Sequence, residues 1–287
     1  MAKLKYTFKT DTLFKMLFVK YPELLKELVS ALLGIPLEEI QQFTILNPEM
    51  PPESLGDKFC RLDIHMIVNG ARVDLEIQII DEGDFRERTM FYWARDFSTS
   101  LPTGGNYADL PRTIIISIID FMLFDCGEYH SFFQLLETTR HTLFSDKMGL
   151  HFFELPKLPP NLGDKDMLLL WLSLFKASTE DELKQIQALE VPVMNQAINA
   201  YYTITASSEF RERERLYEKA RHDEAQALHH AKQEGRQEGR QEGRLEGRLE
   251  GSSERSVEIA RKMKAAGTPF DQIEKFTDLS YLEIERL

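Results

Sequence analysis

Apolar residues recur at steps of three and four between residues 11 and 33, at Leu13, Phe14, Leu17, Phe18, Leu24, Leu25, Leu28 and Leu32. This spacing predicts an amphipathic helix, broken or kinked at Pro22 and stopped by Gly34-Ile35-Pro36. After a short strand near 42–47 and a proline-rich loop, the period changes to two. Even positions from Cys60 to Val68 are apolar, odd positions from Ala71 to Ile79 are apolar, and Asn69-Gly70 stands between them. That pattern predicts a hairpin with a two-residue turn. Counting outward from the turn pairs Val68 with Ala71, Met66 with Val73, Ile64 with Leu75 and Leu62 with Ile77 on one face. The other face then sets His65 opposite Asp74, Asp63 opposite Glu76 and Arg61 opposite Gln78.

Further along, Asp84 to Leu101 reads as a helix with Phe85, Met90, Phe91, Ala94 and Phe97 on its apolar side. The loop LPTGGNYADLP leads into RTIIISIIDF, an apolar run of strand length. Extended segments follow near 129–138 and 149–155. From Asp164 the pattern is helical, over 164–176, 179–189, 191–206 and a long charged helix from about 208. Helix, strands, helix, strand and then helices describe an α/β core with a helical second half. The expected division is a core over 1–160, a helical extension over 161–232, a repeat helix over 233–251 and a small helical unit over 252–287.

The repeat, QEGRQEGRQEGRLEGRLEG, has Gly at 235, 239, 243, 247 and 251, with Glu before and Arg after each of the first four. In a helix, residues four apart share a slowly rotating stripe, so each stripe here is uniform. Like charges at i,i+4 and glycines costing about 1 kcal/mol each against alanine disfavour such a helix in isolation. Self-association into a homo-oligomer through 233–251 is the expectation; a flexible charged tether is the alternative, and nucleic-acid binding through the arginine stripe is a third that the glutamates offset. Downstream, SSERSVEIARKMKAAG predicts a capped helix ending at Gly267, and Thr268-Pro269 starts another. Ser280 with Glu283 forms a capping-box pattern for the last helix. Across FTDLS these last two helices could form a helix-turn-helix, but SYLEIERL is acidic and short of donors for base edges. A small interaction or capping unit fits it better.

Charge narrows the function. A net charge of −12 over 287 residues argues against broad coating of nucleic acid, though an enzyme can still grip phosphate locally. Two cysteines make no disulfide framework, no apolar stretch is long enough to span a membrane, and no signal core opens the chain, so a cytoplasmic protein is expected. The His and Cys residues show no zinc spacing, and neither a Walker-type loop nor a GxSxG elbow is present.

The hairpin carries the candidate chemistry. Opposed side chains in a sheet lie about 4.5–5.5 Å apart, and like charges so placed destabilise it. A divalent cation held by Asp63 and Glu76 would turn that repulsion into attraction; oxygen ligands suit Mg²⁺ or Mn²⁺. The bland alternative is a solvated polar face on which the two carboxylates splay apart. His65 and Asp74 could be a base with its orienter or a surface hydrogen bond. Tyr107 is a functional or a loop-anchoring aromatic.

Asp63 on one strand followed by Glu76-Ile77-Gln78 on the next resembles the metal-binding signature of the PD-(D/E)xK nucleases. More narrowly, the chain resembles the Rpn recombination-promoting nucleases, also called YhgA-like transposases. The resemblance is carried by DTLFKMLF with Asp11 and Lys15, the LDI…VDLEIQ hairpin, Arg88 and Tyr92 four apart, GGNYADL before an apolar strand, and the Gly-Arg/Glu repeat. It implies a restriction-endonuclease-like α/β core with a helical C-terminal extension, and Mg²⁺- or Mn²⁺-dependent endonucleolytic cleavage of DNA in recombination or transposition. On this chain Asp63, Glu76 and the carbonyl of Ile77 would hold the metal, and Asp11 could add a ligand. Gln78, expected with Asp63 and Glu76 to be catalytic and normal for the Rpn branch, stands where the wider superfamily has Lys, which removes a cation that Lys15 or Arg88 could replace. Arg88 and Tyr92 could hold a phosphate and a base, or pack as a plain helix surface. The competing expectations are an inactive nuclease fold acting as an oligomeric interaction module, and a phosphodiesterase acting on RNA.

Overall fold

The computed structural model describes residues 2–46, 64–101, 103–160 and 166–287. Asn69 and Gly70 both take left-handed backbone angles, φ 48° and 80°, which is what a tight two-residue turn requires. They join β2 (Ile64–Val68) to β3 (Ala71–Gln78) in the expected register, Ile64 with Leu75, His65 with Asp74, Met66 with Val73 and Val68 with Ala71. The expected pairs of Arg61, Leu62 and Asp63 lie outside the described residues. Asn69 also clamps the preceding segment, its side chain accepting from the amides of Gln41 (3.0 Å) and Gln42 (3.1 Å) and donating to the Glu39 carbonyl (2.8 Å). This holds β1 (Phe43–Ile45) antiparallel to β2.

After β3 the chain crosses through α3 (Phe85–Thr99) and returns parallel as β4 (Thr113–Ile119). A hairpin of β5 (His130–Leu136) and β6 (Leu143–Glu154) completes the sheet, with β6 parallel to β4. The strand order is β1-β2-β3-β4-β6-β5. One face of this mixed sheet carries Ile64, Met66, Val73, Leu75, Ile77, Ile114, Ile116 and Ile118. These pack against α1 (Asp11–Lys20), α2 (Pro22–Leu33), α4 (Met167–Lys176), α5 (Glu180–Gln187) and α6 (Pro192–Ala206) in one continuous core. Pro22 divides α1 from α2 as its missing N–H requires, sitting at the first turn of the second helix.

The opposite face corrects two expectations. It is not solvated: His65, Asp74 and Glu76 are 5%, 0% and 4% exposed. Nor does α3 turn Met90 and Phe91 inward; both are about half exposed, at 49% and 54%. The buried side of α3 is Phe85, Thr89 and Asp96, with Tyr92 and Trp93 packed beside them. A helix normally buries its apolar stripe. Here polar residues point inward because the sheet beneath is polar where α3 crosses β3.

The chain divides into two compact units, Met1–Arg215 and Leu216–Leu287. Phe210, near the start of α7 (Ser208–Ala265), is fully buried in the first core. The 233–251 repeat is helical and exposed along its whole length. Ser252 and Ser253 open no new helix, because α7 runs through them to Ala265. In the second unit Ala260 packs with Ile273 of α8 (Phe270–Thr277) and Ile284 of α9 (Tyr281–Arg286). Both arms of the Ser280–Glu283 capping box are made, and the Lys264 ammonium donates to the Ile284 (3.0 Å) and Glu285 (2.8 Å) carbonyls at the end of α9. Among the described residues no helix is long and apolar enough to cross a membrane.

Candidate active site

Alternation along β3 sends Arg72, Asp74 and Glu76 to the α3 face, and β4 sets Thr113 beside Arg72 and Ser117 beside Glu76. The resulting polar strip is sealed from above by α3. Arg72 donates from Nε to both carboxylate oxygens of Asp96 (2.8 and 3.0 Å) and from Nη2 to Oδ1, a fork that pins the middle of α3 to the hairpin. The Asp96 bond raises the pKa of Arg72 further. His65 Nδ1 bonds Asp74 Oδ1, and His65 Nε2 lies 3.8 Å from Asp96 Oδ1. The pair is therefore buried, not a surface hydrogen bond. Burial holds the Asp74 carboxyl above the usual range even though the His65 bond opposes it.

Glu76 lies one step further along β3. Burial pushes its carboxyl up to about 7, against the pull of the Arg88 guanidinium and with the push of Asp74. Among the described residues Glu76 Oε2, Asp74 Oδ2 and Ser117 Oγ are buried without a hydrogen-bond partner. Arg88 hangs from α3, Nη1 on Glu82 (3.0 Å) and the guanidinium 5.1 Å from the Phe85 ring, with Nε and Nη2 buried and unpaired among the described residues. Tyr92, one turn on, is half-buried and packs in the same layer.

The remaining candidates are less concentrated. The Gln78 amide donates back to the Ile80 carbonyl at 2.9 Å. The Ile77 side chain faces the main core. Lys9 and Asp120 pair at 2.5 Å, and the Asp120 amide donates to the Gln78 carbonyl, so the approach to α1 is tied to the ends of β3 and β4. Asp11 opens α1 there and pairs with Lys15 at 3.3 Å. Tyr107 is 81% exposed. Asp63 lies outside the described residues.

A family model described as PD-(D/E)XK nuclease family transposase matches residues 8–231. The chain belongs to that family. No curated protein and no solved structure matches the chain.

The hairpin and α3 fit a divalent cation on one observation in particular: among the described residues, one carboxylate oxygen of Glu76 is buried without a partner. Buried polar atoms are ordinarily paired, and an unpaired carboxylate oxygen is a ligand atom open to a cation or a proton. His65, Asp74 and Asp96 also offer ligand atoms within 4.8 Å of one another. There, however, the Arg72 fork and the imidazole already face the two carboxylates. Sequence reasoning missed Asp96, Arg72 and Ser117 as members of this layer. Asp96 had a signal, since Arg88, Tyr92 and Asp96 recur every four residues along one side of α3. Ser117, in the middle of an apolar run, had none beyond being the one polar side chain in IIISII.

Proposed function

We propose that the chain is a divalent-metal-dependent endonuclease that hydrolyses DNA phosphodiesters in recombination or transposition. The observation that carries this is Glu76, a carboxylate buried with an oxygen unpartnered among the described residues and facing Arg88 in a chain of a nuclease-type transposase family. Asp63 and Glu76, with the Ile77 carbonyl, would hold Mg²⁺ or Mn²⁺, and Asp11 is the further oxygen ligand. When bound, the ion lowers the pKa of a water and offsets charge on the scissile phosphate. Arg88 from the helix above, or Lys15 from α1, supplies positive charge in place of the Lys that Gln78 replaces. Tyr92 offers its ring to a base. The Gln78 side-chain amide, which donates to the Ile80 carbonyl at the strand end, brings hydrogen bonding to the site but no charge.

The test is plasmid cleavage by purified protein with Mg²⁺, with EDTA, and with Asp63→Ala and Glu76→Ala. Nicking or linearisation that needs metal and both carboxylates is the expected result. A folded wild-type protein that binds Mn²⁺ calorimetrically yet leaves duplex DNA intact would move the substrate elsewhere. One that binds no metal would end the reading.

A further inference from the structure

We propose that Arg72 and Asp96 are positioning residues: their fork sets the register of α3 on β3 and so holds Arg88 over Glu76, where it takes an oxygen of the DNA phosphate. This rests on the nuclease reading above and adds which residues place the cation that Gln78 does not bring. The spacings carry it. β3 and β4 are parallel, so the α3 that joins them runs back along β3 in the opposite direction. Arg72 and Glu76 are four residues apart on β3, about 13 Å at 3.3 Å per residue. Asp96 and Arg88 are eight residues apart on α3, about 12 Å at 1.5 Å per residue, and two turns bring both to one side of the helix. The two lengths match. A helix docked with Asp96 on Arg72 therefore brings Arg88 to the level of Glu76, and the Arg88 charge does act on the Glu76 carboxyl.

The order of charges makes other registers costly. Asp74 and Tyr92 stand midway along the two spacings. Sliding α3 by one turn toward the end of β3 would set Asp96 against Asp74; sliding it the other way would leave Arg72 facing Tyr92 without its carboxylate. Rotation is fixed as well. Arg72 Nε reaches both Asp96 oxygens (2.8 and 3.0 Å) while Nη2 takes Oδ1, and a fork of this kind specifies an angle that a single point charge would not. A slip of one residue would swing Arg88 by about 100°. Thr89, the other buried polar residue of α3, adds no register, because its hydroxyl donates to the Phe85 carbonyl of its own helix (2.8 Å). The Trp93 indole, donating to the Thr113 carbonyl at 3.1 Å, holds α3 down on β4 beside the fork. At the other end Arg88 is steadied by Glu82 (3.0 Å) and the Phe85 ring (5.1 Å), with Nε and Nη2 buried and unpartnered among the described residues. These are two donors on the Glu76 side of the helix, the number a phosphate oxygen pair accepts.

The experiment uses the full chain and asks whether the fork acts through Arg88. Single-turnover cleavage with Mg²⁺ is measured for the wild type, Asp96→Asn, Arg72→Lys, Arg88→Ala, and each of the first two combined with Arg88→Ala. Asp96→Asn keeps the shape and one acceptor, and Arg72→Lys keeps the charge without the fork, so both are expected to fold, as circular dichroism checks. Each should cut at least about tenfold more slowly, because a displaced charge stabilises the transition state poorly. Mn²⁺ affinity by calorimetry should stay within about twofold, since neither residue holds the ion. The deciding readout is the cycle: with Arg88 already replaced, Asp96→Asn and Arg72→Lys should slow cleavage no further. Losses that multiply in the double variants would mean that the fork supports the fold at large, and would overturn the proposal. So would wild-type rates for Asp96→Asn and Arg72→Lys, or a loss of Mn²⁺ affinity in either. A folded wild type that binds no Mn²⁺ and cuts no DNA ends the nuclease reading itself, and this proposal with it; cleavage that needs metal and Arg88 but not the fork ends this proposal alone.

Discussion

Glu76 holds a position that function explains better than stability. A carboxylate 4% exposed, with an oxygen that finds no partner among the described residues, costs the metal-free fold the desolvation that its neighbours do not return. Glu76→Gln keeps the shape and removes the charge. It is expected to stabilise the metal-free protein by about 1–3 kcal/mol while abolishing Mg²⁺-induced stabilisation and cleavage. Urea denaturation with and without Mg²⁺ reads both effects, and a destabilised Gln variant would show that the carboxylate is held by the fold itself. His65 and Asp74 teach a related lesson. Their alternation with apolar neighbours looked like a solvated face because period-two patterning records which residues differ, not which side meets water. What buries them is the crossover that lays α3 over β3, and no residue within the hairpin announces it.

At the scale of elements, the turn and the strands were legible and the inner side of α3 was not. Asn69-Gly70 fixed the β2–β3 register, and all four expected pairs within the described residues form. The hydrophobic spacing of α1 and α2 likewise named residues that are buried. The same reasoning turned α3 the wrong way because it assumed that buried means apolar, whereas α3 is held by a polar fork. Asp96→Ala would leave the Arg72 guanidinium without its carboxylate in a largely buried setting. The expected loss is about 3–5 kcal/mol, measurable as a lower urea midpoint. A loss below 1 kcal/mol would mean that apolar contacts carry the helix.

The β5–β6 hairpin gives a pH-dependent counterpart. His151 is stacked among Phe132, Phe153 and His130, and burial, with lesser pushes from His130 and Arg112, lowers its pKa from 6.5 to about 4. A depressed imidazole is neutral when folded and binds a proton more readily when unfolded, so its contribution is complete above about pH 6.5 and is lost as pH falls toward 4. Between pH 7.5 and 5.5 the fold should lose about 1 kcal/mol through this group. His151→Phe, which retains a ring in the stack, should flatten that slope; an unchanged slope would assign the pH response to other groups.

For the molecule as a whole, the division at Arg215 separates two compact units. The family match ends at residue 231, before the repeat begins, and every site residue named above lies in the first unit. Phe210 closes the first core, so a chain ending after residue 231 keeps the side chains that this core needs. It should fold, bind metal and cut. What it lacks is the 233–251 helix, and with it, on the reading of self-association, the means of bringing two sites to one duplex. The wild type is therefore expected to convert supercoiled plasmid to linear product with little accumulation of nicked circle, whereas the shortened chain accumulates nicked circle first, at a similar rate of initial strand cleavage per site. Adding the shortened chain in excess should not restore concerted cutting, because concentration replaces pairing poorly when the second site must be held close. If both chains give the same ratio of linear to nicked product, double-strand cleavage arises within the first unit, and the repeat helix serves something other than the reaction.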